Sequence, residues 1–84
     1  MPRVALTDQQ RRDNMKADIS RAVLDELNAQ MGRKRKTKKE FSDLLGITAS
    51  TWWKWNKLNL ACASWNDVLD AALRAGLKIR VVFE

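Results

Sequence analysis

Eight lysines and arginines fall between residues 32 and 57: Arg33, Lys34, Arg35, Lys36, Lys38, Lys39, Lys54 and Lys57. Only two carboxylates, Glu40 and Asp43, share that window. Residues 1–31 carry five charges of each sign and residues 58–84 three of each, so the whole +6 of this 84-residue chain sits in the middle. Clustered cations suit a polyanion, because each one that meets a phosphate releases condensed counterions. Arg33-Lys34-Arg35-Lys36 is the densest part. As a bare run it is open to three readings: a phosphate clamp, a solvated loop or a nuclear address. Its place directly ahead of a helix start, itself an anion site, favours the clamp. Other chemistries find no support. There is no histidine and one cysteine, so nothing offers four soft ligands for zinc, and no nucleophile and base are paired for catalysis. Neither a metal nor a cofactor is expected, and an enzyme has almost no positive evidence.

The cations need elements to position them. Thr37 followed three residues later by Glu40 is a capping box, so a helix starts at Lys38. Phe41, Leu44 and Leu45 give it an apolar side, and Gly46 ends it in the left-handed conformation that glycine adopts at little cost. Ile47 fills the turn and Thr48 caps a second helix, Ala49 to about Leu58. Residues 37–58 therefore read as a helix-turn-helix.

Within it, counting Lys38 as first, the small Ser42 is fifth, Gly46 ninth, Trp52 fifteenth and Trp55 eighteenth. This spacing resembles the helix-turn-helix of the phage repressor and Cro-type (XRE, lambda-repressor-like) DNA-binding family, over about Met15 to Gly76. The sequence departs from the family at Lys38, where glutamine is common, and in using tryptophans where aliphatic residues are usual. The resemblance implies that Thr48, Ala49, Ser50, Trp53, Lys54 and Lys57 face DNA. Ala49, Ser50, Trp53 and Lys54 are the candidates for base edges. Arg33, Lys34, Arg35, Lys36, Thr37, Lys38, Lys39, Thr48 and Lys57 are the candidates for phosphates. Several stay open: Lys54 can donate to guanine or sit on a phosphate, Thr48 can be a cap alone, and Trp53 can touch a thymine methyl or fold back over Ile47.

The remainder is read as support. Thr7 with Gln10 opens the longest helix, Asp8 to about Met31, with Met15, Ile19, Val23 and Leu27 as a core stripe joined by Ala22 and Met31. Its first turns can overhang and meet a second subunit. Gly32 is its expected stop. Trp52, Trp55 and Trp65 are assigned to the core, and Cys62, between two alanines, to a buried filler. Ser64 caps a fourth helix, Trp65 to Ala75, with Val68, Leu69, Ala72 and Leu73 as its apolar face and Gly76 as its stop. From residue 77 the period changes to two. Leu77, Ile79, Val81 and Phe83 alternate with Lys78, Arg80, Val82 and Glu84, which reads as a strand over 77–84. Pro2 to Leu6 is a possible short edge strand or a disordered tail.

The expected fold is mainly α: a four-helix, lambda-repressor-like helix-turn-helix domain over residues 1–84. A C-terminal β-strand would be paired with the N-terminal strand or with a partner subunit. Cro-like proteins dimerise through such a strand, which nominates Leu77, Ile79, Val81, Val82 and Phe83 for a homodimer. The expected function is a phage or bacterial repressor that binds double-stranded DNA as a dimer, with helix 49–58 in the major groove of a palindromic operator. A protein-binding module, such as an antitoxin-type helix-turn-helix with a protein partner, is the alternative. No leader or membrane span is read, and a lone cysteine points to the reducing cytoplasm.

Overall fold

Every helix opens on a hydroxyl. Thr7, Thr37, Thr48 and Ser64 each accept a hydrogen bond from the backbone amide three residues on, at 3.1, 3.2, 3.0 and 3.1 Å. At Thr7 and Thr37 the third residue, Gln10 or Glu40, reaches back to the cap amide and completes the box. The computed structural model describes residues 7–83, and these caps launch α1 (Asp8–Arg33), α2 (Lys38–Leu45), α3 (Ala49–Lys57) and α4 (Trp65–Arg74).

The ends follow one rule as well. After each helix the chain turns left-handed, at Arg35 (φ 52°), Gly46 (φ 76°), Asn59 (φ 50°, followed by Leu60 at 64°) and Gly76 (φ 87°). The next amide then reaches five residues back, Lys36 to Met31, Ile47 to Ser42, Leu60 to Trp55 and Leu77 to Ala72, at 2.9–3.1 Å. This is the Schellman closure, which satisfies the last carbonyls of a helix. It also corrects the expected stop at Gly32. That glycine lies inside α1, and the left-handed position falls three residues later on Arg35.

The core is small. Leu24 and Leu27 of α1, Phe41 and Leu45 of α2, Trp52 and Trp55 of α3, Leu60 of the following loop, and Val68, Ala71, Ala72 and Ala75 at α4 are buried. Phe41 meets Trp52 edge to face with ring centroids 5.3 Å apart, a geometry that suits the ring quadrupoles. Ser42 is fully buried and donates its hydroxyl to the Lys39 carbonyl at 2.7 Å, so its small size costs no unpaired polar atom. α2 packs on both α3 and α4 and so holds the domain together.

Several expectations fail. Met15 and Ile19 are 66% and 46% exposed, because from Thr7 to Ile19 every residue is open to solvent and only Ile19 reaches the rim of the groove beside α4. Trp65 is 52% exposed at the first turn of α4, and Leu73 lies on that helix's outer side. Cys62 is exposed in the α3–α4 loop, and the buried side chain of that loop is the larger and more apolar Leu60, at a left-handed φ of 64°. No strand occurs among the described residues. Leu77 packs half-buried against the core, while Ile79, Val81, Val82 and Phe83 are exposed in irregular chain. A lone segment has no ladder to join, which is why alternation here does not yield a strand. The candidate strand at Pro2 to Leu6 lies outside the described residues. Ile19, Val23, Trp65, Leu69, Leu77 and Ile79 line an open groove of about 670 Å³ between α1, α4 and this tail.

Candidate nucleic-acid interface

Two of the seven inner positions of α3, Trp52 and Trp55, turn into the core, and their spacing of three leaves the opposite side to solvent. On that side Ala49, Ser50, Trp53, Lys54 and Lys57 are all exposed. Lys57 lies one turn beyond Trp53, and its ammonium sits 4.6 Å from the indole centroid, a cation–π stack. The Thr48 hydroxyl is engaged as a cap and shares a 2.9 Å hydrogen bond with the Thr51 hydroxyl.

The basic residues ahead of α2 are arranged by the end of α1. Arg33 belongs to its last turn, with a guanidinium nitrogen 3.8 Å from Glu26 Oε2 in a largely exposed pair that holds it weakly. Lys34 is the C-cap, Arg35 the left-handed residue and Lys36 half-buried, so the expected basic loop is a helix end followed by a tight turn. At α2 the Thr37 amide is bound to Glu40 Oε1 at 3.0 Å and the Glu40 amide to Thr37 Oγ1. The amides of Lys38 and Lys39 have no acceptor within the helix by its geometry, and their side chains are exposed. Glu40 puts a negative charge at the same end. The Thr37 amide, then the Thr37 hydroxyl and the nearby Lys36 charge, hold its carboxyl below the ordinary 4.5. Lys36, Lys38 and Lys39 outnumber it.

One cleft joins the two regions. Lys38 from the start of α2, Ala49 and Trp53 from the outer side of α3, and Asn28 and Asn56 enclose about 200 Å³. The asparagines are a pair that sequence spacing did not single out. Asn28 Nδ2 donates to Asn56 Oδ1 at 2.8 Å and to its own helix at the Leu24 carbonyl, while Asn56 Nδ2 donates to the Trp52 carbonyl. They tie α1 to α3 beside the exposed face. A second missed contact is Arg74, whose guanidinium lies against the Cα side of Gly46 while its Nε binds Asp70 at 2.9 Å. Both join residues far apart in the chain, which no local pattern announces.

Among the described residues no group of acidic, histidine or cysteine side chains is placed to hold a metal. No described helix is long and apolar enough to cross a membrane. No protein-family model, curated protein or solved structure matches the chain.

Proposed function

We propose that this protein is a sequence-specific double-stranded DNA-binding regulator of the repressor and Cro type. The observation that carries the reading is the shared cleft. It brings Lys38, first residue of the helix that follows the basic run, beside the exposed Ala49 and Trp53 of α3. A duplex laid there meets phosphate-binding cations on one side and a solvent-facing helix of groove-filling width on the other. Arg33 to Lys39 capture the backbone, α3 enters the major groove with Ser50 and Lys54 at base edges, and Thr48 and Lys57 flank it at phosphates. Bound over a promoter in the cytoplasm, the protein represses by excluding polymerase. Two copies, joined through Leu77 to Phe83, would set two such helices about 34 Å apart on a palindromic site.

The test is binding to promoter-region duplexes across a salt series. Lys38→Ala should weaken all sequences alike and lower the slope of log affinity against log salt by about one. Lys54→Ala should instead flatten the preference among sequences. Equal losses on every duplex for both variants would show that phosphate and base contacts are not divided in this way. A salt-independent affinity would remove the reading altogether.

A further inference from the structure

This inference rests on α3 being the helix that enters the major groove, and it concerns which base that helix selects. Along the flank of its outward face that borders the cleft runs an apolar strip, beside Ser50 and Lys57 at the centre of that face. Ala49 and Trp53 lie one turn apart, both exposed, Trp53 at 55%. Lys57 covers one side of the indole at 4.6 Å, and the cleft shared with Lys38 and Ala49 leaves room on another. The stack orients the ring and holds the ammonium over it.

Neither residue of the strip can identify a purine by a pair of hydrogen bonds. Alanine has no polar side-chain atom, and indole offers one donor and no acceptor, so the two-point match that picks out guanine or adenine is beyond both. The feature of the major groove that fits an apolar surface is the 5-methyl group of thymine. We propose that Ala49 and Trp53 recognise thymine methyl groups, with Lys57 held by Trp53 against the neighbouring phosphate. The half-site then carries thymine opposite Trp53, and hydrogen-bond readout falls to Ser50 and Lys54.

Duplexes selected by the full chain from a random pool provide the probe. Each thymine of the selected half-site is replaced singly by deoxyuridine, which removes the methyl group and nothing else. One replacement should lower affinity about fourfold, the worth of one buried methyl group. At the thymine opposite Trp53, Trp53→Ala should bind the thymine and deoxyuridine duplexes equally, and Trp53→Phe should recover part of the difference. Because Trp53 is exposed, the variants keep the fold, which their melting curves check. If no replacement matters, or Trp53→Ala remains as sensitive as the parent at every thymine, thymine reading by Trp53 is wrong while DNA selection stands. If the pool yields no preferred sequence, the DNA reading fails first and this inference with it.

Discussion

A left-handed backbone costs an L-residue about 1–2 kcal/mol, and the chain meets that cost in opposite ways at two helix ends. Gly46 takes φ 76° without a side chain, and a Cβ there would stand 3.1 Å from Arg74 Nη1. The arginine tip is flexible and can move, so Gly46→Ala should lose about 1–2 kcal/mol through the backbone, or about 4–8 °C of melting temperature per kcal/mol. Arg35 adopts φ 52° with a full side chain, so Arg35→Gly should gain up to about 1 kcal/mol, the relief being offset in part by the entropy of glycine. The same variant should bind DNA more weakly for want of one cation. Melting curves of the two variants that move in the same direction would contradict the argument. Glu40 carries a third prediction. Its carboxyl is held below the ordinary 4.5, chiefly by the Thr37 amide, so its contribution to stability is complete above that value and disappears as the pH falls through the lowered one. Glutamine also closes a capping box, so Glu40→Gln should keep the helix near neutrality and show a flatter acid limb in unfolding midpoints. Identical acid limbs would place the acid sensitivity elsewhere.

At the scale of elements, what was legible in the sequence was local. The four caps, the glycine of the turn and the inward pair Trp52 and Trp55 depend on neighbours within four residues, and the helices begin where those signals stand. The stripe of α1 was not legible, for a geometric reason. Each step of four residues turns about 40° around a helix, so Met15, Ile19, Val23 and Leu27 spiral through about 120°. Their exposure falls from 66% at Met15 to 0% at Leu27, and the spiral is only part of the cause, since up to Ile19 every face of α1 is exposed. Leu24, Leu27 and Met31, spaced by three and four, mark the face that meets the core. Trp65, Cys62, and the Asn28–Asn56 and Arg74–Gly46 contacts depend on where α4 and α1 lie, which no short window encodes. The same geometry makes α1 uneven in stability. From Thr7 to Ile19 it is exposed all round, tied near Ala17 by a 3.1 Å hydrogen bond from Asn59, and a helix alone in water is marginal. In dilute protein, backbone amides of residues 11–19 should exchange with solvent about tenfold faster or more than those of Leu24 to Met31. Equal protection would mean that another chain covers the overhang.

The whole molecule is elongated, 52 × 27 × 21 Å with a radius of gyration of 15.0 Å, where a compact chain of this length has about 12 Å. The projecting half of α1 accounts for part of the excess. The tail has a different problem: Ile79, Val81, Val82 and Phe83 are exposed, Phe83 at 93%, and their backbone forms no ladder among the described residues. Exposed alternating chain with unpaired amides is a template for another strand, and in the proposed dimer a second copy of the same segment would supply one about a twofold axis. Such a pair would bury Leu77, Ile79, Val81 and Phe83 on one face and complete the strand that the alternation implies. Val81→Glu with Phe83→Glu tests this without shortening the chain. Both side chains lie in solvent in the single chain, so the monomer should change by no more than about 0.5 kcal/mol. The parent should sediment as a dimer and melt higher as its concentration rises, whereas the double variant should sediment as a monomer with a concentration-independent melting point. On DNA the variant should keep its affinity for one half-site and lose the gain from placing two about 34 Å apart. A parent chain that stays monomeric, or a variant that still dimerises, would move the subunit contact to the α1 overhang or abolish it.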